Sequence, residues 1–565
     1  MSAHEQAIAS AQKAALKAHN EGDLVTAEKL YRKILARPKR PRPEIYGNYG
    51  ALLRHLEKPK QSASVYRRGL KIYPKEILLL RNFGNLMLQE GHYAKALALY
   101  LKSEEILMQN NKLDKINSIR RQQAEVLAEL GQPKMALRIL EPILSELKNE
   151  DCNLKLGMAD LYLELDDLSK AKELALPILT SREPSIGQAY QWSNLLLKLG
   201  EFEKALEKFD HATSIHRKKA AHLDAKSRQK FDTTCWNFSL MLLRRGLFRR
   251  GWQLFEHGRA VGNGRGGMQR TVFKAQPRSK IKEWDGEDIS HQRLLINGEQ
   301  GIGDVMMFSM LIPPLFRETK EIGIVTYDRL VELYKRSFPE AKIFDVKDIR
   351  SGAIKPTDWD VQVAIGSLPM LRHSTLDDYQ GLKPFLKQNE MQQQELKIKY
   401  YPTSTDETLI GFSWKGGGNT KQKQTKSLQL EDLLPLFKIP KTKWISLQYG
   451  DVNDEIAAFN KQHDLNLIAP NDVDPLKDMD RWCSLVSCCD QVISAANTTI
   501  HGAGCLGIPT TVILAKNPDW RWLGATDAKC YWYPNVSIAR QRKVGSWDEP
   551  IHQVLKSLEG NFHHH

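Results

Sequence analysis

The chain has 565 residues, 41% of them hydrophobic and 26% charged, and a formal net charge of +15. That length exceeds one hydrophobic core and predicts roughly three or four domains. The composition is that of an ordinary soluble protein, and no run reaches the ~18 apolar residues of a membrane span. The basic charge reads first as the ordinary basic surface of a large protein and more specifically as attraction of anions, but no alternating basic and aromatic platform of the kind that grips single strands is present, so nucleic acid is disfavoured. The N-terminus lacks the basic-then-apolar pattern of a signal peptide. The seven cysteines are scattered. Cys483, Cys488 and Cys489 have no second Cys or His pair at zinc spacing, so reduced thiols and a cytoplasmic location are expected. His563–His565 read as the remnant of a purification tag.

In chain order, the first feature is a repeat. A glycine is followed by a bulky residue two on, a small one five on, a bulky one nine on and a small or aliphatic one twelve on. Gly22, Gly91, Gly200 and Gly246 start clear copies, and Glu57, Gly131 and Asp166 start weaker ones. Successive starts lie 35, 34, 40, 35, 34 and 46 residues apart. The pattern resembles the tetratricopeptide repeat (TPR). Gly91 belongs in the turn between two helices, where left-handed backbone is needed. Ala96 is small where the two helices touch, Tyr100 fills the groove to the next repeat, and Pro74 closes a repeat. Residues 1–260 are therefore expected to form an α-solenoid whose concave face takes a peptide, rather than a plain helical spacer. The Gly-rich, basic stretch within 261–290 reads as a linker.

From residue 293 strand-like runs alternate with helical ones. They are 293–299, 322–328, 342–346 and 361–367, then 409–416, 444–450, 465–470, 490–496, 510–515 and 536–541. The charged stretch 385–405 divides the two sets. This alternation predicts two Rossmann-like domains, 291–400 and 401–562, with ligands at the carboxyl ends of the strands.

Four motifs fall at those ends. In "NGEQGIGDVMMFSMLIP" (297–313), a strand enters a glycine turn carrying Glu299, Gly301 and Gly303, and an amphipathic helix follows. Asp304, in its first turn, is either a helix cap or a carboxylate offered to the cleft as general base. In "FSWKGGGNTKQKQTKSL" (412–428), Lys415 and Lys426 are candidates for phosphate, with a helix expected to begin just after Lys426. Lys421 and Lys423 read as solvated. In "SAANTTIHGAGCLGIPTTVIL" (494–514), Asn497, Thr498 and Thr499 form a polar turn suited to an anion, and His501 follows at the helix start. In "NPDWRWLG" and "WYPNVSIARQ", Asp519, Trp520 and Trp522 are consistent with packing alone, whereas Arg521 or Arg540 can reach a phosphate or carboxylate.

Taken in order, these motifs resemble TPR-linked glycosyltransferases related to the lipopolysaccharide heptosyltransferases. The resemblance covers essentially the whole chain and implies a metal-independent GT-B fold, in keeping with the lack of a D-x-D motif in the four segments. It implies Asp304 as catalytic base, with Glu299, Gly301 and Gly303 on the acceptor side. It implies donor contacts from Lys415, Lys426, Asn497, Thr498, Thr499, His501 and Arg540. Ala496 and Asn497 depart from the family's Asp-Thr pair, which argues against a heptose donor. Among TPR-linked members the chain is most similar in look to flagellin O-glycosyltransferases. That likeness implies a CMP-linked nonulosonic acid such as pseudaminic acid as co-substrate, no resident cofactor, flagellin as the partner read by the TPR half, and a role in motility. The alternatives are an O-GlcNAc-type or lipopolysaccharide transferase using a UDP- or ADP-sugar, and a non-catalytic TPR adaptor, for which Ala496 is the best argument.

Overall fold

The computed structural model describes residues 3–36, 41–112, 115–147, 150–181, 184–218, 225–261, 265, 281–345, 347–348, 351–352, 355–402, 407–417, 423, 425–524 and 530–562. Lys421, most of 262–280 and the tag remnant lie outside them. The chain divides into two compact units, Met1–Glu183 and Pro184–His565.

The first unit consists of helix pairs, among them Pro43–His55 with Pro59–Ile72 and Ile77–Gln89 with Tyr93–Gln109. The second opens with two further pairs, Ile186–Leu199 with Phe202–Lys218 and Ala225–Arg244 with Phe248–Phe255. Every repeat start found in the sequence, from Gly22 to Gly246, lies in the turn of a pair and has positive φ, from 57° to 85°. Glu57 and Asp166 hold that conformation without glycine, at a cost of roughly 1–2 kcal/mol each. The small residue five on is wholly buried at Ala27, Ser62, Ala96, Ala136, Ala171 and Ala205. The bulky residue nine on is wholly buried at Tyr31, Tyr66, Tyr100, Phe209 and Phe255. Tyr100 occupies the space that a Cβ would need at Gly84, so the aromatic packs directly on the backbone of the neighbouring helix.

Two five-stranded sheets follow, both parallel throughout. The first has the order β1-β5-β2-β3-β4, with β1 Lys282–Glu283, β2 Arg293–Asn297, β3 Glu321–Thr326, β4 Lys342–Asp345 and β5 Val361–Ala364. The second has the order β10-β9-β8-β6-β7, with β6 Thr408–Ser413, β7 Thr442–Ser446, β8 Gln491–Ala495, β9 Thr510–Leu514 and β10 Val536–Arg540. TPR-like helix pairs followed by two such sheets make an α plus α/β chain of GT-B type. Chain order reverses between β5 and β2 in one sheet and between β6 and β8 in the other, and such switch points open a crevice at the strand ends.

Two expectations are corrected. Residues 465–470 form no strand, because Ile468 makes only an isolated bridge to Ile445. The helix after the glycine turn, Ile302–Ser309, is not amphipathic in its setting: Val305, Met306, Met307 and Phe308 are all wholly buried. Helix Thr498–Leu506 of the other sheet packs on its outer side, where the Cys505 thiol donates to the Met306 carbonyl at 3.4 Å. The expected linker also contains ordered structure. β1 adds an edge strand beside β5, and Arg265 is wholly buried.

The last helix pair shares its core with the sheets. Trp252 meets Trp520 edge-on at 5.7 Å, Phe255 lies 5.3 Å from the same ring, and Phe248 packs on Tyr531 at 5.2 Å. Aromatic pairs of this kind add specific geometry to burial, so the pair is fixed to the loop that follows β9.

Candidate functional site

The glycine turn after β2 brings a carboxylate to the junction of the two sheets. The Gly301 N–H donates to Asp304 Oδ2 at 3.3 Å, so the aspartate caps its own helix. Its other oxygen, Oδ1, accepts from Arg521 Nε at 2.6 Å, and Arg521 stands on the loop after β9. Asp304 is 9% exposed. Gly303 is required by proximity: a Cβ there would lie 2.8 Å from His501 Cδ2 and 3.6 Å from Thr498 Oγ1. The helix starts of the two sheet domains thus meet at a residue without a side chain.

Arg521 continues the chain of charge. Its Nη1 lies 3.5 Å from Asp519 Oδ2, and Lys426 Nζ donates to that oxygen at 2.8 Å. Asp304, Arg521, Asp519 and Lys426 therefore alternate in sign across the cleft. Burial alone would raise the Asp519 carboxyl, but Arg521 and Lys426 hold it well below the usual carboxylate range. Burial works against the Arg521 charge, and Asp304 and Asp519 more than offset it. The guanidinium also lies over the Trp520 ring, 4.5 Å from its centre. Asp519 and Trp520 are thus more than packing, contrary to the sequence reading. The available signal was a charged pair set among tryptophans in Asp-Trp-Arg-Trp, where a buried ion needs a partner.

His501 stands against this chain. Its Nδ1 is 2.8 Å from the Tyr533 hydroxyl, and its ring is near parallel to Trp522 at 6.2 Å. Burial lowers its pKa to about 4, with Asp304 opposing and Arg521 assisting. The ring is therefore neutral at pH 7. Thr498 lies beside it at the helix start and is partly exposed.

Other predicted contacts are already occupied. Asn497 Nδ2 donates to Ser413 Oγ at 2.6 Å and to the Lys415 carbonyl at 3.1 Å. Its Oδ1 accepts from the Thr499 N–H at 2.8 Å. Asn497 thus ties β6 to β8 across the switch point, and Thr499 is 2% exposed with its amide in use. The Lys415 ammonium pairs with Glu455, away from the Asp519 chain. The helix expected just after Lys426 begins at Leu430, so Lys426 precedes it by a short loop. Arg540, closing β10, donates from Nη2 to the Leu523 carbonyl at 2.6 Å.

Glu299 is not on the acceptor side. It is wholly buried and accepts from Arg265 Nε at 2.6 Å and from the Gly366 N–H at 3.2 Å. Arg265 also pairs with Glu256 and donates to Ser367 Oγ at 2.7 Å. Burial pushes the Glu299 carboxyl up against the pull of Arg265. Its place is beneath the glycine turn, as support.

Among the described residues no group of three or more His, Cys, Asp or Glu is arranged to hold a metal ion, and no helix is long and apolar enough to cross a membrane. D-x-D spellings do occur outside the four motifs, at 358–360, 472–474 and 478–480. Asp360 is engaged by Arg293, Asp472 by Lys399 and Arg481, and Asp480 by Arg336, while Asp478 caps a helix.

No family model matches the chain. Protein FlbA of Caulobacter vibrioides is 25% identical over 338 residues, which is 56% of this chain and 53% of that protein. The chain thus spans about half the length of the curated relative it matches. Among solved structures, the E. coli ADP-heptose lipopolysaccharide heptosyltransferase II is 13% identical, covers 47% of this chain and 98% of its own, and gives a TM-score of 0.35. Pseudomonas aeruginosa PilF is 16% identical over 41% of this chain and 99% of its own, with a TM-score of 0.31. A tetratricopeptide repeat protein from Parabacteroides merdae is 22% identical over 37% and 93%, with a TM-score of 0.27.

Proposed function

We propose that this protein is an inverting, metal-independent O-glycosyltransferase that moves a nonulosonic acid from a CMP-sugar to Ser or Thr of flagellin. The observation that carries the transferase reading is the alternating chain Asp304–Arg521–Asp519–Lys426, spanning the carboxyl ends of two parallel sheets. It offers a carboxylate on one sheet domain and phosphate-binding cations on the other. Flagellin and the CMP-sugar rest on the motif resemblance, with the cationic cleft in support.

In this reading the acceptor hydroxyl oxygen attacks the anomeric carbon as the bond from that carbon to the phosphate oxygen breaks. Asp304 takes the hydroxyl proton, and CMP leaves with the bonding pair. Lys426 and Arg521 stabilise the charge that develops on the phosphate, the largest contribution such a site can make. When Arg521 turns to the phosphate it releases Asp304, so donor binding frees the base. The helix pairs hold the acceptor chain. His501, neutral and packed, orients the helix start and does not carry charge.

The test is intact-mass analysis of flagellin incubated with the full chain and a CMP-, UDP- or ADP-sugar, with and without EDTA. The expected result is a mass increment from the CMP-nonulosonate alone, undiminished by EDTA. Transfer from a UDP- or ADP-sugar alone, or loss with EDTA that Mg²⁺ restores, contradicts the reading.

A further inference from the structure

Two half-buried arginines beside the charge chain each keep one buried nitrogen unpartnered among the described residues. Arg244 ends helix Ala225–Arg244 of the last helix pair, and Arg540 ends β10. They flank the same dipeptide. The Gly524 N–H donates to the Arg244 carbonyl at 2.8 Å, and Arg540 Nη2 donates to the Leu523 carbonyl at 2.6 Å. Arg244 Nη2 donates to Asn517 Oδ1 at 2.6 Å. Each side chain thus spends one donor on a neutral oxygen. Among the described residues, the Arg244 Nε and Arg540 Nη1 atoms are buried without a hydrogen-bond partner. Among the described residues neither arginine forms an ion pair. The carboxylate acting on Arg244 is Asp519, which Lys426 and Arg521 already share. A Cβ at Gly524 would lie 3.4 Å from Arg244 Nε, in ordinary contact.

Both arginines are half-buried, and like charges that are partly desolvated with no ion pair among the described residues are costly. Burial, then Arg245 and Arg540, pull the Arg244 pKa down to about 10, and burial lowers Arg540. A planar guanidinium matches phosphate or carboxylate oxygens two at a time.

We propose that Arg244 and Arg540 together seat an oxyanion of the co-substrate, a phosphate or a sugar carboxylate, so that the last helix pair contributes directly to the donor site. The seat rests on the nucleotide-sugar reading and adds a residue from outside the sheet domains. An oxyanion there would replace Asn517 and the Leu523 carbonyl as acceptors. Binding would then draw helix Ala225–Arg244 and the loop after β9 onto one ligand.

The test uses the full chain with Arg244→Gln, Arg540→Gln, their lysine counterparts and Lys426→Gln. Calorimetry measures affinity for inorganic phosphate, CMP and CMP-N-acetylneuraminic acid, and melting is followed without ligand. Loss of a charge-assisted bond should weaken the seated anion roughly 10- to 100-fold in both glutamine variants, with partial recovery by lysine. A loss shared by CMP and the CMP-sugar identifies the phosphate, and a loss confined to the CMP-sugar identifies the carboxylate. Ligand-free melting should be unchanged or raised, since a half-buried cation with no ion pair among the described residues has gone. Wild-type affinity for every probe in both arginine variants, with CMP binding lost in Lys426→Gln, overturns the seat alone. A fall in ligand-free melting without loss of binding assigns the arginines to structure and also overturns it. A wild-type chain that binds none of the probes overturns the nucleotide-sugar reading and the seat with it.

Discussion

Arg521 on the second sheet domain donates to Asp304 on the first at 2.6 Å, so the carboxylate proposed as base is held by a cation proposed to bind phosphate. Both side chains are largely buried and Asp519 lies on the far side of Arg521. Arg521→Met leaves two carboxylates without their shared partner. Breaking a buried pair from one side costs about 3–5 kcal/mol. The expected result is a lower melting temperature together with loss of CMP binding. Arg521→Lys should recover part of the stability but little of the affinity, because an ammonium cannot hold both carboxylates in a planar fork. Unchanged CMP affinity in Arg521→Met would remove Arg521 from the donor site.

The buried group beneath the glycine turn gives a separate expectation. Arg265 is wholly buried between Glu256 and Glu299, and Glu299 in turn holds the Gly366 amide. Arg265→Met should destabilise the second unit by roughly 3 kcal/mol or more. Adding Glu299→Gln should restore part of the loss, because the uncompensated charge is then gone. Thermal melting of the single and double variants checks this. Equal stability of wild type and Arg265→Met would show that the group does not support the turn.

The neutral state of His501 makes stability depend on pH in a defined window. Burial lowers its folded-state pKa to about 4, against about 6.5 for an unfolded histidine. Between these values the unfolded chain binds the proton and the folded chain does not, so stability falls as pH drops from 6.5 to 4. The window is worth roughly 3 kcal/mol from this residue. His373, also lowered to about 4 by burial, adds to the same slope. Melting measured across pH 4–7 should be less acid-sensitive in His501→Gln than in wild type, and an identical slope would contradict the assignment.

The close approach of the two sheet domains can be tested at a single atom. A methyl group at position 303 would meet His501 Cδ2 at 2.8 Å, whereas one at position 301 would meet only Asp304 Oδ2, at 3.3 Å. Gly303→Ala should displace the ring or part the helix starts, at about 1–3 kcal/mol. It should impair CMP binding more than Gly301→Ala does. Equal affinity in the two variants would place the contact outside the working site.

The repeats were legible because a turn needing positive φ and a helix contact needing a small residue each restrict residue choice at a fixed spacing. Gly22 through Gly246 therefore stand out in the bare sequence. The parallel sheets were legible for the same reason, as apolar runs ending in polar turns. The failures have a shared physical cause. Glu299 and Asp304 are both acids on one glycine turn, and their opposite fates depend on partners far away in sequence, Arg265 and Arg521. Asn497, in a polar turn, caps helix Thr498–Leu506, and its amide also closes the gap to Ser413, a partner that sequence distance hides. Arg244 gave no signal, since an arginine at the end of a repeat helix is ordinarily solvated.

The most direct test of the central claim is the mass of flagellin after incubation with a CMP-nonulosonic acid and either wild-type protein or Asp304→Asn. The variant keeps the side chain's size and its bond from the Gly301 amide but cannot accept the proton. Loss of a general base should slow transfer by roughly 10²–10⁴. CMP affinity, measured in parallel, should stay within a few-fold of wild type, because the cations proposed to bind the donor remain. Flagellin modified by Asp304→Asn at the wild-type rate would leave Asp304 as a helix cap and Arg521 partner only, and would contradict the account.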